Sequence, residues 1–414
     1  MPTTVRLRYR PAARIRAILG PDLSGVRQSL VALGLNSTTS LVAGGFLGSI
    51  TSTFEALPGL LVLVPAAIGL RGNIFGAFGN RISTTIHSGT FRLSARPDSV
   101  LGQNVLAAGI LTLVMSVVLA VAAKSIAVAL GIAETISVLD LAVISVIGGV
   151  LASVVVLAAT LGLARGAVRY GWDLDNVTAP LVSTLGDVLT LPALFLGTFL
   201  VGIHLVTPLL GALLIAASVA ALFVGLRSKM NLLPRIVTES LPILTVAGCV
   251  SATAGILLEK RFASFALFPA LLVLVPAQLS SSGALGGILS SRLSSKIHLG
   301  VIVPAPVPPR PAREDLAYVF ALTVPVFAFN GLGAHLVGRL LGHASPGALT
   351  MVGASLLGGW AAMLFVLALA YYGTILAVRG GVDPDTYGIP VVSSSVDLIG
   401  AFTLILAIVL LGIG

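Results

Sequence analysis

The chain has 414 residues, 57% of them hydrophobic and only 9% charged, with a formal net charge of +9. A mean hydropathy of +1.07 leaves too little polar surface to cover a soluble globule of this size and places the chain in a bilayer. The basic balance does not indicate nucleic acid, because Lys and Arg stand in short clusters between apolar runs without interleaved aromatics, and the single Cys249 excludes an internal disulfide or a thiolate cage.

In chain order, residues 1–25 are expected to form a basic cytoplasmic arm carrying Arg6, Arg8, Arg10, Arg14 and Arg16; the apolar segment that follows is long and lacks the small-residue cleavage site of a signal peptide. A spanning helix needs about 20 largely apolar residues. That rule predicts five spans near 28–53, 57–80, 100–123, 138–164 and 178–203, and five more near 237–258, 266–291, 315–338, 348–378 and 388–413. From Val188 to Leu226 there is no Asp, Glu, Lys or Arg, a stretch too long for one span; Pro208 divides it and leaves an extra linker helix near 207–226. The expectation is an all-α polytopic membrane protein of eleven spans: a five-helix unit over 26–204, a linker helix over 205–228 and a second unit over 229–414. Val301 to Arg313, with its prolines, reads as a loop between spans.

The two units repeat each other. Pro58-Gly59-Leu60-Leu61-Val62-Leu63-Val64-Pro65-Ala66 returns 211 residues on as Pro269-Ala270-Leu271-Leu272-Val273-Leu274-Val275-Pro276-Ala277, and Arg81, Ser83, Ile86 and His87 return as Arg292, Ser294, Ile297 and His298. Further on, Pro180-Leu181-Val182-Ser183 is answered by Pro390-Val391-Val392-Ser393, each followed by one acid, Asp187 or Asp397. Five spans leave the chain on the opposite side and the linker helix returns it, so the units are expected to be parallel, related by an axis along the membrane normal. With the N-terminus inside, only Lys124, Lys260, Arg261 and Arg339 fall outside and Arg71 lies within a span, while the other basic residues fall inside. The positive-inside rule then predicts a cytoplasmic N-terminus and an external C-terminus.

Asp187 and Asp397 are the principal candidates for chemistry. A carboxylate at a helix centre costs about 2.5–3.5 kcal/mol on insertion scales and persists only with a partner or water. Seven residues of helix carry each acid about 10 Å past its proline toward mid-membrane. Ser183, Thr184 and Thr190 share a face with Asp187, as Ser393 and Ser394 do with Asp397. Asp175 and Asp385, with Asp173 and Asp383, stand just before the same helices, as helix-start residues or as attractors of cations at the inner mouth. Hard oxygen donors point to hard cations, and two carboxylates suit a magnesium ion that keeps its waters better than a dehydrated calcium cage. The histidines show no metal-ligand spacing; His87 and His298 read as inner-end residues of the second helices. Pro58 with Pro65, and Pro269 with Pro276, either break the backbone beside a pore or simply kink a helix. The units differ where Arg71-Gly72-Asn73 meets Ser282-Gly283-Ala284, and where Gln28 meets Glu239, an acid near the inner end of its span.

These residues resemble the membrane domain of MgtE-type magnesium transporters, and more closely the solute carrier 41 family, in which two such domains are fused. The likeness rests on Leu61-Val62-Leu63-Val64-Pro65-Ala66 with Gly69-Leu70-Arg71-Gly72-Asn73 and Arg81-Ile82-Ser83-Thr84, and on Ala179-Pro180-Leu181-Val182-Ser183-Thr184-Leu185-Gly186-Asp187. It implies a divalent-cation pathway lined by the second and fifth helices of both units, with Asp187 and Asp397 at the central ion site. The chain looks unlike bacterial MgtE in having no acidic cytoplasmic domain, and its second copy has Gly283-Ala284 in place of Gly-Asn. The expected function is a magnesium or related divalent-cation transporter of the cell membrane, without a resident cofactor, working as a monomeric pseudo-dimer. The alternative is a sodium- or proton-coupled exchanger using Glu239, Glu55 or Glu259. An intramembrane enzyme is disfavoured, since there is no His-Glu-x-x-His or Gly-x-Ser-Gly.

Overall fold

The computed structural model describes residues 23–87, 94, 96–132, 135–170, 174–298, 300–380 and 389–413. Its regular structure is helical throughout: α1 (Leu23–Ser49), α2 (Thr51–Ala56), α3 (Leu60–His87), α4 (Val100–Ala129), α5 (Val138–Tyr170), α6 (Leu174–Thr198), α7 (Val206–Arg227), α8 (Leu233–Glu259), α9 (Phe262–Leu267), α10 (Ala270–His298), α11 (Arg310–Leu340), α12 (Ala348–Gly380) and α13 (Ile389–Leu410). In hydrocarbon every backbone N–H and C=O must be satisfied within the protein, which leaves helices as the form these apolar runs can take. Ten helices among the described residues are long and apolar enough to cross a membrane. The eleventh long helix, α6, has a shorter apolar stretch at Thr184–Thr198.

Sequence and structure agree on the repeat and differ in its detail. α1 to α6 match α8 to α13 in order, and α7 joins them. The span expected to run to 53 ends at Ser49 instead, while the one expected to end at 258 does so at Glu259, and each is followed by a six-residue helix, α2 or α9. Phe54 and Phe265, in equivalent places, anchor these short helices in the core. The proline pairs do not break a helix: Pro58 and Pro269 precede α3 and α10, whereas Pro65 and Pro276 lie inside helices that continue for over twenty residues. Each ladder loses one N–H near its start, where only about one and a half turns of helix precede the proline.

Local chemistry marks several ends. Ser99 accepts from the Gly102 N–H at 2.9 Å at the start of α4. Ser137 and Asp140 cap α5 reciprocally. Gly131 and Gly342, equivalent residues with φ of 82° and 76°, close α4 and α11, a conformation that favours glycine.

The halves are seated crosswise. α1 packs most extensively on α10 and also on α11 of the other half, while α8 packs on α3 and α4. A side chain at Gly44 would collide with the Val273 backbone, and one at the equivalent Gly255 with the Val62 backbone; small residues here let helix backbones touch. The duplicated block therefore forms the centre of the molecule, with Leu61, Val62, Leu63 and Leu271, Leu272, Val273 and Leu274 wholly buried. α7 lies at the margin against α4, α5 and α8 and exposes Leu209, Leu213, Val219 and Phe223, as a lipid-facing linker should.

Candidate cation site

The crosswise seating brings α6 and α13 to the same central region, each flanked by a first helix of its own half and a second helix of the other. Asp187 on α6 is buried, at 8% exposure. Its Oδ2 lies 3.2 Å from the Ser280 Oγ of α10, and the Ser40 hydroxyl of α1 faces it without a bond of normal length. Ser280 also lies 3.0 Å from the Asn36 Oδ1 of α1. A hydroxyl has one proton, so Ser280 serves these two oxygens alternately.

Asp397 on α13 has a matched but not identical setting. Its Oδ2 accepts from the Ser251 Oγ of α8 at 2.8 Å, and Ser251 is the repeat equivalent of Ser40. Where α10 presents Ser280, α3 presents Gly69, whose missing side chain would stand 3.5 Å from that same carboxylate oxygen. One turn earlier on α13, Ser393 lies 3.4 Å from the Asn73 Oδ1 of α3. Each acid thus has one amide nearby, Asn36 on α1 for Asp187 and Asn73 on α3 on the side of Asp397. Each carboxylate is met by a serine hydroxyl, Asp187 by Ser280 from the other half and Asp397 by Ser251 from its own.

Other expected residues fall elsewhere. Thr190 turns its hydroxyl to the Gly186 carbonyl of its own helix at 2.6 Å, a bond that occupies it. Thr184 is partly exposed and Ser394 is buried. Pro65 and Pro276 are buried within α3 and α10. Glu239 is an exposed partner of Arg235 at 2.7 Å and stands apart from both aspartates. The side chains of Gln28, Ser183, Asp175, Asp385, His87 and His298 lie outside the described residues. Asn36, Ser40, Ser251 and Ser280 were not singled out in the sequence, although the repeat spacing pairs Ser40 with Ser251. Among the described residues no three of His, Cys, Asp and Glu gather into a metal cage, so a cation here would meet two acids, hydroxyls and amides.

The profile of the MgtE family, described as a divalent cation transporter, matches residues 64–197 and 275–407. The chain belongs to this family. Each matched segment contains one aspartate of the central pair, so the family domain is present twice, and the MgtE-family chain is an integral membrane protein. It is similar to solute carrier family 41 member 3 of Mus musculus, 24% identical over 373 residues covering 85% of this chain and 75% of that one. The likeness to the Rattus norvegicus member 3 is 24% over 410 residues, covering 94% and 87%. Member 2 of Homo sapiens is 26% identical over 386 residues, covering 86% and 64%. No solved structure matches.

Proposed function

We propose that this MgtE-family transporter carries magnesium along a path between its two halves, with Asp187 and Asp397 at the narrow central site. The observation that supports this most is that each half buries one acid against a serine hydroxyl of a first or second helix, Asp397 against Ser251 and Asp187 against Ser280. Two carboxylates with neutral oxygen donors suit an ion that holds its water shell, since hydroxyls and amides can bind the shell without stripping it. In this reading a single chain suffices as a pseudo-dimer, the N-terminus is cytoplasmic and the C-terminus external, and the unit boundaries fall at 26–204, 205–228 and 229–414. Asp187→Asn and Asp397→Asn should each abolish magnesium flux into proteoliposomes while the protein still elutes as a folded species. Normal flux in both variants would remove the site assignment.

Coupled exchange is the second reading, and Glu259 is what favours it. Its Oε1 accepts from the Gly59 N–H at the start of α3 at 2.8 Å, while its Oε2 is buried without a partner. Flux that follows an imposed sodium or pH gradient, and loses that dependence in Glu259→Gln, would identify an exchanger; flux indifferent to both gradients would identify a channel-like path.

A further inference from the structure

The halves differ most sharply behind the cation path, inside the first half. Arg71 on α3 is wholly buried, and its Nε, Nη1 and Nη2 have no hydrogen-bond partner. None of the ion pairs formed among the described residues includes it. The guanidinium lies against Gly149 of α5, where an added side chain would collide with both Arg71 Nη2 and the Ser116 hydroxyl of α4. Ser116 and Ser145 are buried too, and their hydroxyls also lack partners. Ser145 stands one turn before Gly149 on α5, so it shares the face that receives the guanidinium.

The second half shows the same place solved with neutral groups. The equivalent of Arg71 is Ser282, whose hydroxyl bonds to the Gln278 carbonyl of its own helix at 2.8 Å. The equivalent of Ser116 is Phe327, whose ring fills the space beside Gly359. Ser355, the equivalent of Ser145, gives its hydroxyl to Gln278 Oε1 at 2.9 Å. Nothing polar is left over among these residues, whereas the first half leaves a full positive charge and two hydroxyls together.

A buried guanidinium without an acceptor calls for an ion or water that supplies one. Water would satisfy hydrogen bonds but leave the charge uncompensated in a low-dielectric interior. We propose that the first half binds a monovalent anion of the halide class between α3, α4 and α5, held by the Arg71 guanidinium with the Ser116 and Ser145 hydroxyls. The Arg71 Cβ packs against Gly186, the residue before Asp187, while the guanidinium reaches away to Gly149 of α5, so the anion site adjoins the helix of the acid without including it. The site is separate from the path and does not depend on which metal ion passes.

The test is thermal unfolding of the purified full chain in detergent, in sodium gluconate, chloride or bromide at constant ionic strength. The melting temperature should climb by several degrees and saturate as chloride or bromide replaces gluconate. The double substitution Arg71→Ser with Ser116→Phe transplants the second half's arrangement; it should fold and show a flat halide response. In crystals grown with bromide, an anomalous peak should lie beside Arg71. A wild-type melting temperature indifferent to halide, or an equal halide response in the double variant, would overturn the proposal and leave bridging water as the occupant. Should the double variant fail to fold, the wild-type titration and the bromide peak still decide.

Discussion

At the scale of single residues, the two aspartates sit in settings that the repeat makes alike and substitution has made unequal. Asp397 holds one short bond, from Ser251, and faces Gly69; Asp187 shares the Ser280 proton with Asn36 and meets Ser40 at longer range. A hydrogen bond to a charged group contributes about 1.5–3 kcal/mol, so Ser251→Ala should change half-saturating magnesium by roughly ten- to a hundredfold in proteoliposome flux. Ser280→Ala should have a smaller effect, since its proton is divided. Equal effects would mean that the asymmetry of these contacts has no bearing on the ion. A second matched pair lies near the C-terminal ends of α3 and α10: Arg81 donates to Asn104 at 2.7 Å and Arg292 to Asp315 at 2.8 Å. Asp315 is buried and also meets Lys296 at 2.6 Å. Breaking a buried pair from one side costs about 3–5 kcal/mol, and because Arg292 is 41% exposed solvent screening trims that figure. Asp315→Ala should therefore lower the melting temperature clearly, and Asn104→Ala much less.

At the scale of helices, close backbone contact is what seats each half on the other. Gly44→Leu or Gly255→Leu should drive α1 from α10, or α8 from α3, and destabilise by about 2–5 kcal/mol as overpacking or rearrangement. Gly34→Ala, where nothing lies within 4 Å of the added carbon, should be neutral within about 0.5 kcal/mol; urea or thermal unfolding in detergent reads both. Much at this scale was legible beforehand. The number of long helices, their order, the linker and the duplication all follow from apolar run length and spacing, because a bilayer enforces both. The break at Ile50 was not legible, since no proline or charge marks it and the apolar composition runs on, whereas the one at Arg261 was announced by the charged run Glu259-Lys260-Arg261. The acids stood out as charges in apolar runs. Ser40, Ser251 and Ser280 did not, because a serine in a membrane helix says nothing of which neighbour it faces, and the neighbours here come from crosswise packing that no local pattern records.

For the whole molecule, reciprocal seating makes the halves interdependent. Expressed separately, residues 1–228 and 229–414 should each remain poorly packed. Expressed together as two chains, they should copurify and recover magnesium flux, because the contacts that seat one half on the other run between helices. Independent folding of either half alone would contradict this arrangement. The crosswise position of α1 also sets an order of events during synthesis. α1 is made long before the helices it packs on most, α10 and α11, which emerge only after the rest of the first half and the linker. At ordinary elongation rates the interval is on the order of tens of seconds. Through that interval the Asn36, Ser37 and Ser40 face of α1 waits in lipid or against provisional neighbours, which makes this stretch a natural client for an insertion chaperone and the most exposed point for quality control.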